Sequence, residues 1–134
     1  MTAENLKNWL KTKLEGAEIT VGCINGDLPT CIGVYDGKSK GGQRVCIGGL
    51  KNTKYQEAAF TLMVHWTTSP VTAEAKAREV YNLFYGLSGV DMDGAHVISA
   101  DPGKQPEWAG RDARSVCEYA IRLNIKYGRN EANA

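Results

Sequence analysis

The sequence has no apolar run near the roughly 20 residues that a membrane-spanning helix needs, so no membrane partner is expected. It has no excess of charge of one sign: 16 Lys and Arg stand against 15 Asp and Glu, a net +1. A protein that grips nucleic acid or acidic lipid through charge carries a large basic surplus, and this chain carries none overall. The opening stretch, MTAENLKNWLKTKLEG, is charged throughout and lacks the apolar segment of a secretory signal. Histidine is scarce, with only His65 and His96. Cys23, Cys31, Cys46 and Cys117 include no CxxC pair. They read as free thiols of a reducing cytoplasm rather than as disulfides or zinc ligands. No GxSxG, HExxH, Walker or GxGxxG motif is present. Asp91 and Asp93 before Gly94 resemble the start of a calcium loop, but Ala95 and Pro102 occupy its fifth and twelfth positions. That segment therefore reads as a turn. No catalytic residue, cofactor or metal is expected.

What is present suits one globular domain over residues 1–134, with 43% hydrophobic and 23% charged residues. A helix is expected over about 3–15, because Leu6, Trp9, Leu10 and Leu14 form one apolar stripe. Thr2 can cap it, with Asn5 in the place of a capping-box Glu or Gln, and Gly16 can end it. Short strands are expected at 18–24 and 30–35, separated by the turn residues Asn25-Gly26-Asp27-Leu28-Pro29. Residues 36–54 read as a flexible loop, interrupted by a short strand candidate at Arg44-Val45-Cys46-Ile47. In the strand expected at 58–67, Phe60, Leu62, Val64 and Trp66 alternate with Thr61, Met63 and His65. Ser69-Pro70 opens a helix to about Leu87, with Ala73, Ala77, Val80, Tyr81, Phe84 and Leu87 facing inward. A strand follows at 95–100, then a polar loop at 101–112. The last strand, 113–127, has the cleanest period of two in the chain. A frayed tail is expected at about 128–134.

The order is α-β-β-(β)-β-α-β-β. It predicts an α+β domain whose mainly antiparallel sheet carries two helices on one face. The other face, with Met63, His65, Arg122, Asn124 and Lys126, is neither strongly apolar nor simply charged. It reads as solvated or as a subunit contact, and His65 as a strand residue on this less buried side.

Two segments suggest assembly. The 36–54 loop carries Lys38, Lys40, Arg44, Lys51 and Lys54. Long loops without structure are uncommon in compact domains unless they serve a function. Its charges suit an acidic neighbour or a channel wall, or simply solvent. The loop before the last strand holds Trp108 beside Arg111, Asp112 and Arg114, the composition of an interface anchor. The alternative is that Trp108 folds back onto its own core.

The ordered set of parts resembles a family of small phage proteins, the tail terminators, some of them labelled minor capsid proteins. The resemblance spans roughly Leu6 to Tyr127. It rests on Gly26-Asp27-Leu28-Pro29, on Val45-Cys46-Ile47-Gly48-Gly49, on the Phe60 to Thr67 strand and on the Glu74 to Phe84 helix. The closing segment, Gly110-Arg111-Asp112-Ala113-Arg114 with the alternating Tyr119 to Tyr127 strand, completes it. This resemblance implies a ring-forming subunit, usually a hexamer, with no catalytic residues. The ring caps the finished tail tube, ends its polymerisation and offers a surface to head-completion or connector proteins. DNA passes through without specific binding. The implied location is the virion, at the tail end and head–tail junction, after assembly in the host cytoplasm. The Lys/Gly-rich loop and the four cysteines are not family signatures. Other readings are a head-completion adaptor or tube subunit of the same particle. From a different class comes a small-molecule module with a pocket lined by Tyr81, Phe84 and Trp66.

Overall fold

The computed structural model describes residues 1–24, 26–37 and 55–128. The expected loop at 36–54 falls mostly outside them, as do its short strand candidate and the residues after 128. The elements run α1 (Ala3–Lys13), β1 (Glu18–Val21), β2 (Thr30–Asp36), β3 (Tyr55–Trp66), α2 (Pro70–Phe84), β4 (Ser88–Met92), β5 (Ala95–Asp101), β6 (Glu107–Arg111) and β7 (Cys117–Gly128). Two helices and a mixed, mostly antiparallel, curled sheet make this an α+β fold.

Both helices form for the reasons their sequences give. Thr2 and Asn5 close a reciprocal capping box at the start of α1. Leu6 and Leu10 are fully buried, and Trp9 meets Phe84 of α2 with ring centroids 5.4 Å apart. Ser69 caps α2 through the Thr72 N–H, and Pro70 occupies its first turn. Ala73, Ala77, Val80, Tyr81 and Phe84 are its buried face. The helix ends at Phe84, short of the expected Leu87.

The sheet runs β1-β2-β3-β7-β5-β4, with β6 also paired to β7. Its spine is the antiparallel pair β3–β7, in register from Tyr55 opposite Gly128 to Trp66 opposite Cys117. Phe60, Leu62 and Val64 face the helices, as do Ile121, Leu123 and Ile125, and these six form the centre of the core. β7 begins at Cys117, not Ala113, because residues 112–116 are a turn.

Three expectations are corrected. First, β1 stops short of its expected end; it pairs with β2 in parallel, so the segment around Gly26 and Asp27 returns the chain along the sheet. Gly22, at φ +76°, ends β1 before the expected Ile24. The return covers β2: a Cβ on Gly33 would lie 2.7 Å from Ile24 Cδ1. Second, the stretch read as turns before residue 95 contains β4, whose Met92 is fully buried. Asp93 and Gly94, at φ +52° and +88°, then make the tight β4–β5 hairpin turn that an Asp-Gly pair favours. Third, the polar loop at 101–112 contains β6. Strands β5 and β6 pair with successive stretches of β7 and are separated by an excursion at residues 102–106.

α1 is tied to the β4–β5 turn. Asn8 Nδ2 donates to Asp93 Oδ2 at 2.8 Å, and Asn5 Nδ2 donates to the same oxygen at 3.2 Å. These two bonds, Asn8 first, hold the Asp93 carboxyl below the usual carboxylate range. A lowered folded-state value means the contribution is complete above the ordinary range and vanishes as pH falls through the lowered value. Thermal unfolding followed by circular dichroism is expected to show Tm falling on acidification. Asp93→Asn tolerates the left-handed backbone and cannot titrate, so its Tm is expected to fall less than the parent's over the same acid range.

Candidate functional site

The expected assembly residues around Trp108 lie on β6 and the β6–β7 turn. Glu107 pairs with Ala120 and Trp108 with Tyr119, then Gly110 with Glu118 and Arg111 with Cys117. The register shift between Trp108 and Gly110 is a β-bulge. Gly110 has φ +114°, a backbone that side chains resist, so the glycine permits the bulge. One edge of β6 is bonded to β7. The other edge meets no strand among the described residues.

Trp108 is 50% exposed. It does not fold into the helix-side core. Its ring stands edge-on to Tyr119 with centroids 5.3 Å apart, and the Arg111 guanidinium lies 5.8 Å from its centroid. Arg111 is oriented by two carbonyls, since Nη1 donates to Thr68 O at 3.1 Å and Ser115 O at 3.0 Å. It thereby ties the end of β6 to the approach to α2, whose first turn carries Val71 at 79% exposure.

Asp112 builds the turn. Its Oδ1 accepts from Arg114 N at 2.8 Å and Val116 N at 2.9 Å. The backbone closes around it, with Ser115 at φ +64°. The Val116 bond, together with the Arg114 N–H and the His65 and Arg114 charges, holds the Asp112 carboxyl below its ordinary value. Arg114 reaches the opposite way: Nη2 meets Asp27 Oδ1 at 3.1 Å and Nη1 donates to Gly26 O at 3.3 Å. Both partners of that ion pair are mostly exposed, so it adds between about 0 and 1 kcal/mol. Arg111, Asp112 and Arg114 therefore each have partners within the chain, while Trp108 projects. Lys38, Lys40, Arg44, Lys51 and Lys54 lie outside the described residues.

Beneath the turn lies His65. It is on the helix-free face, as expected, but it is 1% exposed and not on a less buried surface. Its Nδ1 is 3.3 Å from Glu118 Oε2, and its Nε2 is 3.4 Å from Asp112 Oδ2 without hydrogen-bond alignment. With a carboxylate beside each ring nitrogen, His65 clamps the turn to β3 and is shielded from any substrate. His96, by contrast, is exposed and meets Asp91 Oδ1 at 3.1 Å.

The expected pocket around Tyr81, Phe84 and Trp66 is filled. Phe84 and Tyr81 belong to the core, and Lys76 covers the Trp66 ring at 4.7 Å. A groove of about 650 Å³ lies instead across the sheet, on its helix-free face. Among the described residues no group of three or more His, Cys, Asp or Glu side chains is placed to hold a metal, and no helix is long and apolar enough to cross a membrane.

Residues 14–129, from the end of α1 through β7, match the model of a family described as bacteriophage tail terminator protein. The chain belongs to the tail terminator family. Among curated proteins, none matches it. Tail terminators are structural, non-enzymatic phage proteins. Membership implies interaction with the tail tube and a place in the virion tail. The tail terminator match spans the residues of β6, the bulge and the turn.

Proposed function

We propose that the chain closes into a hexameric ring at the head end of the tail tube, ends tube polymerisation and presents its outer side to the head-completion or connector protein. The family match over residues 14–129 carries this reading. The edge of β6 that meets no strand among the described residues supports it. An unpaired strand edge is a template for pairing with another chain, and a half-exposed Trp flanked by Arg suits the centre of a contact. A head-to-tail contact of this kind ends growth when its rotation closes, and continues as a filament when it does not. In this reading Trp108 is the anchor, and Arg111, Asp112 and Arg114 hold the edge in shape. The five Lys and Arg residues that the sequence carries between 38 and 54 suit an acidic neighbour or a channel wall. A net charge of +1 suits a collar through which DNA moves without being gripped.

The test mixes the purified chain with tail tubes that lack a terminator and measures tube length and end structure by negative stain. Rings on tube ends and arrested growth are the expected result. A chain that stays monomeric beside bare, growing tubes overturns the proposal. Long cylinders formed by the chain alone identify a tube subunit, and binding to heads without tubes identifies a head-completion adaptor.

A further inference from the structure

The helix-free face of the sheet carries a feature that ring formation through β6 leaves unused. Ala120, Arg122 and Asn124 of β7, with Thr61 of β3, floor the 650 Å³ groove, and the 102–106 excursion walls it through Lys104. Its volume lies within the roughly 300–1,000 Å³ of ligand clefts. Arg122 is exposed, and among the described residues it has neither a carboxylate in ion-pair range nor a hydrogen-bond acceptor. Other arginines of the chain are satisfied: Arg78 pairs with Glu74, Arg114 with Asp27, and Arg111 with two carbonyls. Lys104 at the rim is exposed and likewise has no ion-pair partner among the described residues. Glu107 is the one acid among the described residues that line the groove. Gly37, at the opposite rim, is where the chain departs into a stretch with five Lys and Arg and no acid before Tyr55.

We infer that this groove receives an acidic, extended segment of a partner protein, whose carboxylate is taken bidentately by Arg122 with Lys104 beside it. A planar guanidinium matches a carboxylate with two parallel hydrogen bonds. Asn124 and Thr61 offer amide and hydroxyl partners to a neighbouring peptide backbone. The small Ala120 side chain keeps the floor low enough for an extended chain to lie along β7. A nucleic-acid backbone fits less well. Among the described residues the groove lining offers two cations, Arg122 and Lys104, and sets Glu107 against them, whereas phosphate grip is cumulative over many contacts. The inference does not depend on ring closure.

The experiment titrates the isolated chain into a fluorescein-labelled peptide of alternating Glu and Ser, followed by anisotropy. A Lys/Ser peptide and a labelled single-stranded DNA of equal length are the comparisons. Saturable binding of the acidic peptide below about 1 mM is expected, with none of the Lys/Ser peptide. Arg122→Glu is expected to weaken it roughly tenfold or more, and Arg122→Lys by less, because a lysine keeps the charge and loses the paired geometry. Unchanged melting of both variants establishes that they fold. Absence of acidic-peptide binding, or binding indifferent to Arg122→Glu, overturns the inference. DNA binding that is tighter than peptide binding and lost in Arg122→Glu also overturns it, in favour of nucleic acid. Since no tube is present, none of these outcomes bears on the capping reading.

Discussion

Ile121→Asp is expected to abolish the folded state, and Ile121→Ala to destabilise it by about 2–5 kcal/mol. Ile121 is fully buried at the middle of β7, opposite Leu62 of β3 and within the cluster that both helices cover. Alanine leaves a cavity there, a loss comparable with much of the roughly 5–15 kcal/mol that stabilises a typical domain. Aspartate puts a charge at a fully buried position within an apolar cluster, and transfer of an unpaired carboxylate into such surroundings is far more costly. The check is near-ultraviolet circular dichroism with a thermal melt. A cooperative transition in Ile121→Asp at the parent temperature would mean that the β7 register is wrong. The neighbouring position gives the control, since Arg122 points to the other face and its variants are expected to melt normally.

Trp108→Ala is expected to leave the domain folded and to impair capping of tail tubes by roughly 30-fold, the loss that accompanies a truncated hot-spot side chain worth about 2 kcal/mol. Half of Trp108 is in solvent, and its intramolecular contacts are one edge-on ring and one guanidinium. Losing an aromatic pair of this type costs about 0.5–1.5 kcal/mol beyond the buried area, which the core absorbs. The measurement pairs a melt with counts of capped tubes across a concentration series. Capping at parental concentration would remove Trp108 from the contact. A collapsed melt would instead make it a structural residue. Arg114→Glu is a less direct probe than its sequence position suggests. It replaces a cation that faces Asp27, so any defect would first report on the 26–27 segment.

Elements whose pattern follows from burial on a single face were legible. The stripe Leu6, Trp9, Leu10 and Leu14, the Thr2–Asn5 cap, the Ser69-Pro70 start and the alternation along β3 and β7 all lead to the observed structure. β4 was hidden because its residues, Ser88 to Met92, include a glycine and an aspartate and bury only Met92. β6 was hidden because a bulge breaks the period of two at Gly110 and none of its residues is buried. A strand that gains most of its stability from hydrogen bonds to one neighbour leaves little hydrophobic trace. The parallel pairing of β1 and β2 depends on how residues 22–29 cross the sheet, which turn chemistry alone does not specify. In the candidate site, the residues around Trp108 left it between an interface anchor and a side chain folded onto its own core, and its 50% exposure comes from the fold. The internal partners of Arg111, Asp112 and Arg114 were not legible, because Thr68, Ser115, Asp27 and His65 are brought to them only by the fold. The open guanidinium of Arg122 was legible only as one charge on a mixed face. Its significance comes from the groove around it.

The central strand of the sheet, β7, follows every other described element in the sequence, yet β3, β5 and β6 all bond to it. Until β7 pairs, no strand bonds β3 to β5 or β6 within the sheet. Pairings between segments so distant in sequence form slowly. The β6 edge is therefore complete only once β7 has paired, and a subunit gains this contact surface late in its folding.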